Sequence, residues 1–228
     1  EPFLVYAASL QDIRPDIIAK QIEAIFADMG TDAVKVGMVS QPETIRTIAD
    51  GLRKYAAPLV VIDPVMVSKS GYHLLQPEAE AVLIQELLPL ADVVTPNIPE
   101  AEAIVKRAIH TLTDMEEAAR AIHAMGAKNV LLKGGHREED ATDILFDGRT
   151  CQRLTAARVP TKNTHGTGCT LSSAIAANLA KGLTVAAAVV EAKRYITVAI
   201  EHALSIGKGV GPTHHFYELY QKAGFVNE

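Results

Sequence analysis

Apolar positions along this chain alternate between two periods. Near the start they recur every three to four residues, which places side chains on one face of an α-helix, and the next apolar run, residues 33–39, is short and rich in β-branched residues. The helically spaced residues are Ile13, Ile17, Ile18, Ile22, Ile25, Phe26 and Met29. A helix that leads into a buried strand is therefore predicted.

The same change of period recurs further along the chain. Helices are predicted at residues 40–55, 77–88, 99–105 and 113–126, and further strands at 59–62, 91–94 and 130–133. Ser40 with Glu43, and Thr113 with Glu116, have the spacing of capping boxes and are predicted to begin two of these helices.

The later part of the chain departs from this pattern. Residues 144–159 predict two strands joined at Asp147-Gly148-Arg149, a turn typical of a β-hairpin. Two helices, at 169–180 and 184–205, precede a short tail around residues 216–220. Short strands separated by amphipathic helices indicate right-handed βαβ units and a mostly parallel sheet covered on both faces. We therefore predict one α/β domain over residues 1–228.

Composition and charge narrow the class of partner. The 228 residues are 48% hydrophobic, which is enough for a substantial core. The net charge of −5, without any Lys/Arg block, disfavours nucleic acid or an anionic membrane as the main partner, so small molecules fit better. The apolar runs are too short and too interrupted by charge to span a bilayer. Cys151 and Cys169 form no disulfide framework, which favours a reduced, cytoplasmic setting.

The stretch from 161 to 170, Thr-Lys-Asn-Thr-His-Gly-Thr-Gly-Cys-Thr, carries the strongest chemical signal. Gly166 and Gly168 permit a tight turn with bare N–H groups, and the helix that follows adds the positive end of its dipole. This predicts an anion hole of phosphate size. Because the same position favours a thiolate, Cys169 is a candidate base or nucleophile beside the hole. A glycine-rich helix entry with a packed cysteine is the plainer interpretation.

Polar residues and glycines follow the predicted strands. In an open parallel sheet the ligand lies beyond the carboxyl ends of the strands. The segments at those ends are Gly37-Met38, Asp63-Pro64-Val65-Met66, Thr95-Pro96-Asn97 with Glu100, and Lys133-Gly134-Gly135-His136. Acidic and amide side chains, a lysine and a glycine turn at one edge suit a metal–polyphosphate and an acceptor. Asn97 with Glu100 also has capping-box spacing, and Asp63 before Pro64 fits a turn.

These segments together resemble the hydroxymethylpyrimidine/phosphomethylpyrimidine kinases of thiamine biosynthesis, in the ribokinase-like superfamily. The resemblance covers nearly the whole chain. Its motifs are residues 63–71, Thr95-Pro96-Asn97 with Glu100, residues 133–136, residues 162–170, and residues 207–212 with His214-His215-Phe216. It implies a three-layer α/β/α fold and transfer of the ATP γ-phosphoryl group to 4-amino-5-hydroxymethyl-2-methylpyrimidine and then to its monophosphate. It also implies ATP and Mg²⁺ as cofactors, and a homodimer.

The resemblance further implies roles for single residues. Cys169 would be the catalytic base, where most sugar kinases of the superfamily carry Asp. The amides of Gly166, Thr167, Gly168 and Cys169 would form the anion hole. The residues implied in nucleotide or metal binding are Asp63, Asn97 and Glu100, with Lys133, Lys193 and Lys208 on the nucleotide side. Met38 and Val65 would line the pyrimidine pocket.

One departure from the family concerns the start of the chain. The family opens with a β-α-β portion that carries a Gly-rich Ser/Thr-Asp segment and an Ala-Gln-Asn stretch, and neither is present here. Ser9-Leu10-Gln11 is no adequate substitute, and Glu1 stands where an initiator Met is expected. We therefore expect either a longer native form or a chain that fails to bind the acceptor.

Other functions stay open at this point. A pyridoxal kinase shares the superfamily and the acceptor alcohol chemistry. Cys169 with His165 could be the nucleophile pair of a thiol hydrolase, although no carboxylate partner is evident. Metal binding would use residues whose spacing matches no zinc pattern, namely His136, His165, Cys169, His214 and His215. A non-catalytic regulator that binds the pyrimidine phosphate is a further possibility.

Overall fold

The computed structural model describes residues 11–66, 75, 77–135 and 141–225. The six strands among them form one sheet whose spatial order follows the chain. They are β1 Val34–Val36, β2 Val60–Ile62, β3 Val93–Val94, β4 Val130–Leu132, β5 Asp143–Phe146 and β6 Cys151–Leu154. Strands β1 to β4 are parallel, and β5 runs antiparallel to both β4 and β6. The predicted mostly parallel sheet with a terminal hairpin is confirmed.

The helices alternate with the parallel strands. In the described part of the chain they are α1 Pro15–Ala24, α2 Pro42–Lys54, α3 Pro77–Val82, α4 Ile98–Val105, α5 Leu112–Ala124, α6 Thr167–Ala180, α7 Val185–Glu201 and α8 Tyr217–Lys222. A π-helical turn at Ile25–Met29 continues α1. The segment after α3 continues as a π-helical turn at Leu83–Leu87 and a 3₁₀ turn at Leu88–Leu90.

Successive residues of the strands belong to two separate cores. Val61 and Leu131 belong to the core that includes residues of α6 and α7. Ile62 and Leu132 belong to the core that includes residues of α2, α3 and α5. Because both faces of the sheet are covered, the strands appear in the sequence as continuous apolar runs without polar alternation. The three-layer α/β/α arrangement follows directly.

The start of α2 differs from the prediction. Ser40 and Glu43 do not form a capping box, because the helix begins at Pro42 and the N-cap is Gln41, which makes no side-chain cap hydrogen bond. Proline at the first helical position is preorganised for that place and determines where the helix begins. The Ser40 hydroxyl instead donates to Asp12 Oδ1 at 2.7 Å.

The start of α5 also differs from the prediction. Thr111 and Asp114 form the capping box, so the predicted pair Thr113 and Glu116 is wrong by two residues. Two Thr-x-x-acid sequences overlap here, and the carboxylate of Asp114 accepts hydrogen bonds from the amides of both His110 and Thr111. These two bonds lower the pKa of Asp114 and favour the earlier box.

The predicted hairpin turn is present at Gly148, which adopts φ +87°. Asp147 Oδ1 accepts hydrogen bonds from the amides of Arg149 and Thr150 at 2.8 and 2.7 Å.

Helix α1 is present where helical periodicity predicted it, but it contains no buried residue. Ile17 on this helix is 40% exposed. No helix in the described ranges combines the length and the apolar character that a bilayer span requires.

Candidate active site

Backbone hydrogen bonds continue between neighbouring segments past the carboxyl ends of the parallel strands. The amide of Asp63 donates to Val36 O, and that of Thr95 donates to Ile62 O, both at 2.9 Å. The amide of Lys133 donates to Pro96 O at 2.8 Å, and Asn97 forms an isolated parallel bridge with Lys133. The segments after β2, β3 and β4 therefore lie side by side at one edge of the sheet, as predicted.

A buried charged network joins these segments. Asp63 is 2% exposed, and its Oδ1 accepts hydrogen bonds from Lys133 Nζ at 2.8 Å and from Thr95 Oγ1 at 3.1 Å. Burial would lower the pKa of Lys133, but the carboxylates of Asp63 and Glu100 outweigh it, and the pKa is raised. The network therefore keeps a charged lysine at the edge of the sheet.

Glu100 belongs to the same network. Its Oε2 accepts a hydrogen bond from the amide of Asn97 at 2.8 Å, and Asn97 Oδ1 accepts one from the amide of Glu100 at 2.9 Å, so this capping box is real. Glu100 is only 3% exposed. Burial, with a contribution from the charge of Asp63, raises its pKa to about 7, although Lys133 acts in the opposite direction. Two carboxylates thus share one lysine.

The N-terminus of α6 has the geometry of an anion site. Gly166, the N-cap, adopts φ +82°, a left-handed conformation in which glycine avoids the steric cost of a side chain. The amide of Thr170 donates to Gly166 O, whereas nothing among the described residues accepts a hydrogen bond from the amides of Gly168 and Cys169. Unpaired amides at the positive end of a 14-residue helix favour an anion.

The buried network lies directly behind this turn. A Cβ atom on Gly168 would lie 3.3 Å from Lys133 Nζ and 3.8 Å from Asp63 Oδ2, so the glycine allows the helix N-terminus to approach the charged pair. Ser172, fully buried one helical turn later, has Oγ 3.1 Å from both Gly168 O and Cys169 O and 3.4 Å from Asp63 Oδ2. The positive charge of Lys133 therefore adds to the unpaired amides and the helix dipole at the N-terminus of α6, and all three favour an anion there.

Cys169 is exposed to solvent and lies outside the apolar interior. It is at one end of a groove of about 680 Å³ between α6, α7 and α8, which is also lined by Ser173, Tyr195 and His215. A thiol at this position can be reached by a ligand bound at the helix N-terminus. Its predicted role as base or nucleophile requires this accessibility and stays a prediction.

The other predicted site residues lie on four different segments of the chain. Met38 is 41% exposed just after β1, Val65 is half-buried after β2, and Lys208 is exposed in the segment after α7. Lys193 on α7 is paired with Asp143 at 2.5 Å. Ser9 and Leu10, residues 67–71 of the motif after β2, and His136 lie outside the described residues.

Three residues of the network were missed by reasoning from the sequence, namely Thr95 as a hydrogen-bonding partner, Ser172 and Asp143. Ser172 had a usable signal, because it lies four residues after Gly168 and therefore on the same face of a helix. Asp143 had none, since its partner Lys193 is 50 residues away along the chain. No group of three or more His, Cys, Asp or Glu side chains suited to a metal ion occurs in the part of the chain that the structure describes.

Comparison with known proteins identifies the family. Residues 6–214 match the model of the phosphomethylpyrimidine kinase family. This chain belongs to that family. The hydroxymethylpyrimidine/phosphomethylpyrimidine kinase of Rhizobium meliloti is 52% identical over 217 residues, which cover 93% of this chain and 81% of that protein. The family predicted from the motifs is thereby confirmed.

Two solved structures support the same assignment. The phosphomethylpyrimidine kinase of Clostridium difficile superposes with a TM-score of 0.75 at 47% identity, over 83% of this chain and 78% of that one. The pyridoxal kinase of Bacillus subtilis, in an ADP complex, gives a TM-score of 0.85 at 39% identity, over 92% of this chain and 79% of that one. The ribokinase-like fold and the phosphotransferase class are confirmed.

Proposed function

We propose that this protein transfers the γ-phosphoryl group of ATP to the hydroxymethyl oxygen of 4-amino-5-hydroxymethyl-2-methylpyrimidine, and then to the phosphate of the resulting monophosphate. The product is the diphosphate used in thiamine biosynthesis. The family supports this reaction, since the relative from Rhizobium meliloti carries the name of both kinase activities.

One observation at the helix N-terminus carries the proposal. The amides of Gly168 and Cys169 are unpaired among the described residues, Lys133 Nζ lies close behind Gly168, and the Cys169 thiol is exposed beside them. Phosphoryl transfer depends mainly on positioning and on neutralising charge, and this arrangement offers both. The turn from Gly166 to Cys169, including Thr167, would hold the transferring group while the sulfur faces the acceptor.

The two steps place different demands on Cys169. A neutral alcohol must lose a proton as its oxygen attacks, whereas a phosphate monoester, with a second pKa of about 6, arrives largely ionised near neutral pH. Cys169 would accept the proton of the alcohol in the first step. In the second step the amides and Lys133 would provide most of the catalytic effect, because they stabilise the transferring phosphoryl group in either reaction.

Mg²⁺ fits the donor set near Glu100. Two buried carboxylates, Asp63 and Glu100, share one lysine, and burial raises the pKa of Glu100 to about 7 although Lys133 lowers it. Magnesium usually takes one or two protein carboxylates and completes its shell with water and substrate phosphates. Glu100 and Asn97 would hold the ion on the phosphate side, and Asp63 would keep Lys133 in place. The bound ion would supply charge neutralisation of the polyphosphate.

Further parts of the proposal concern ligand contacts and assembly. Lys133 and Lys208 would lie on the nucleotide side, and Met38 and Val65 would contact the pyrimidine.

A homodimer in the cytoplasm is proposed from the family resemblance, and the two free cysteines agree with a reduced setting. Light scattering on the purified protein would test the dimer.

A pyridoxal kinase is the second candidate. The pyridoxal kinase of Bacillus subtilis superposes with a higher TM-score than the Clostridium difficile phosphomethylpyrimidine kinase, 0.85 against 0.75. Pyridoxal also presents a hydroxymethyl group on an aromatic ring, so the same base and anion hole would serve it. The second phosphorylation separates the two, because only the pyrimidine pathway needs transfer to a phosphate monoester.

The test is an assay of the purified protein, and of any longer native form, with ATP and Mg²⁺ against three acceptors: the hydroxymethylpyrimidine, its monophosphate and pyridoxal. We expect the first two to be converted to the diphosphate, detected by phosphorus NMR. Transfer to pyridoxal alone would favour the second candidate. ADP binding without transfer to any acceptor would favour a non-catalytic regulator.

A further inference from the structure

An ion pair away from the helix N-terminus joins α7 to the sheet. Lys193 Nζ lies 2.5 Å from Asp143 Oδ2 and also donates to Ala141 O at 2.9 Å. The Lys193 side chain is 14% exposed and that of Asp143 is 9% exposed. Among the described residues, the polar contacts of Lys193 Nζ therefore go to the first residue of β5 and to the segment just before it.

The second carboxylate oxygen of Asp143 holds the turn that follows β4. Asp143 Oδ1 accepts a hydrogen bond from the amide of Gly134 at 2.8 Å. A Cβ atom on Gly134 would lie 1.8 Å from Thr142 O, a clash that only glycine avoids. The backbone after β4 therefore packs closely against the residue before β5. The Asp143 carboxylate holds it there through a hydrogen bond to the Gly134 amide.

This turn is continuous with the lysine of the anion site. Gly134 directly follows Lys133, whose Nζ lies 2.8 Å from Asp63 Oδ1 and 3.3 Å from the position of a Cβ on Gly168. Asp143 also contributes to the raised pKa of Lys133, after the larger effects of burial, Asp63 and Glu100. A change at Asp143 therefore acts on Lys133 both through the backbone and through charge.

We propose that Asp143 and Lys193 are a positioning pair that fixes the Gly134 turn, and with it Lys133, behind the anion site. Lys193 acts through Asp143 and makes no direct contact with the nucleotide. This inference rests on the proposed function, since it needs a protein that binds a nucleotide phosphate at the N-terminus of α6. It assigns Lys193 a role different from the nucleotide contact implied by the family resemblance.

A double-mutant cycle separates positioning from direct contact. Lys193→Met leaves the buried charge of Asp143 uncompensated, so that this carboxylate competes with Asp63 for Lys133. Asp143→Asn keeps an oxygen for the Gly134 amide but leaves Lys193 without its counter-charge. Each single variant is expected to weaken ADP binding about 10-fold and to raise the KM for ATP more than it lowers kcat. The double variant removes both charges and is expected to bind ADP within about 3-fold of the wild-type protein.

The chain offers a matched control at the amino-terminal ends of the strands, on the side of the sheet away from the anion site. Asp92, just before β3, accepts a hydrogen bond from the amide of Val60 at 2.7 Å and pairs with Lys128 at 2.8 Å. It is therefore also a carboxylate that holds a backbone amide and a lysine. Asp92→Asn, Lys128→Met and their combination should leave ADP affinity unchanged, whatever they do to stability.

Calorimetric titration of the full chain with ADP, together with ATP kinetics, decides the matter. Recovery of affinity in the Asp143→Asn/Lys193→Met protein supports the positioning pair. A double variant as weak as Lys193→Met, or single variants with unchanged ADP affinity, would overturn it. Failure of the wild-type protein to bind ADP would overturn the proposed function itself, and the inference with it.

Discussion

At the scale of single residues, Cys169 is the centre of the proposed chemistry. Replacing it with alanine removes the proton acceptor but leaves the amides and Lys133 in place. We expect Cys169→Ala to slow phosphorylation of the hydroxymethylpyrimidine by about 10²-fold or more, the usual range for loss of a general base. Phosphorylation of the monophosphate should change by only about 3-fold or less, because that acceptor arrives ionised. The measurement is kcat/KM for each acceptor in separate assays.

The other cysteine provides the control for this variant. Cys151 is half-buried at the first residue of β6, away from the helix N-terminus. Cys151→Ala should leave the ratio of the two activities unchanged. Equal losses of both activities in Cys169→Ala would reject the division of labour between the two steps.

Glu100 makes stability depend on pH. Its pKa is raised from the ordinary value of 4.5 to about 7 in the folded protein, mainly by burial. The folded state therefore holds this proton more tightly than the unfolded state, so ionisation of Glu100 destabilises the fold as pH rises from about 4.5 to about 7. Glu100→Gln stays neutral and avoids this loss. The free energy of unfolding of the variant relative to wild type should rise by about 2 kcal/mol between pH 5 and pH 8.

Urea unfolding at the two pH values measures this difference. Glu117 is exposed on α5 and pairs with Arg107 at the surface, so Glu117→Gln is a suitable control that should show little pH dependence. An unchanged difference between Glu100→Gln and wild type across this pH range would show that Glu100 is already ionised in the folded protein at pH 5.

At the scale of elements, the start of α5 distinguishes two threonines that are equivalent in the sequence pattern. Thr111 accepts a hydrogen bond from the amide of Asp114, whereas Thr113 lies within the first turn of the helix. We expect Thr111→Ala to lower the free energy of unfolding by about 1 kcal/mol, the usual cost of losing an N-cap. Thr113→Ala should have an effect close to zero. Equal losses in urea unfolding of the two variants would contradict this assignment of the cap.

The overlapping capping signals show why element boundaries are harder to predict than elements. Helix α5 was predicted from the repeating helix–strand pattern and the Thr113–Glu116 spacing. The helix is present, but either threonine could have been its cap. The choice depends on the amide of His110, which also donates to Asp114. At α2, the Pro42 signal competed with the Ser40 and Glu43 pair, and proline prevailed because its backbone angle already suits the first helical position.

At the scale of the whole molecule, the two cores share one sheet, which predicts a single cooperative unit over the described chain. Ile122 on α5 lies in one core, Ile175 on α6 lies in the other, and both are fully buried. Truncation of either to alanine should cost about 2–5 kcal/mol. Because adjacent strand residues such as Val61 and Ile62 belong to opposite cores, both variants should shift the same unfolding transition.

Circular dichroism and intrinsic tyrosine fluorescence, recorded through urea unfolding, test this single domain. Coincident transitions by both probes are expected for wild type and for both variants. Ile206→Ala is the control, since that side chain is 63% exposed. Separate transitions for Ile122→Ala and Ile175→Ala would show two independent units instead of the predicted one.

The sequence by itself determined the alternation of helices and strands, the mostly parallel sheet, the glycine turn before α6 and the family. These features depend on local periodicity, on backbone freedom at glycine and on motif spacing, all of which are properties of neighbouring residues. The convergence of Asp63, Asn97 and Lys133 at one edge also followed, because the carboxyl ends of parallel strands meet there.

Tertiary structure alone decided which charges are paired. The nucleotide-side role of Lys193 stays a prediction, and its pairing with Asp143 could not be read from the sequence. The network from Lys133 through Asp63 to Ser172 likewise depends on contacts between segments far apart in the chain. A lysine in a sequence carries no sign of its counter-charge, because the partner is chosen by how α6 and α7 pack on the sheet. The ionisation of Glu100 was undetermined for the same reason, since burial has the largest effect on its pKa.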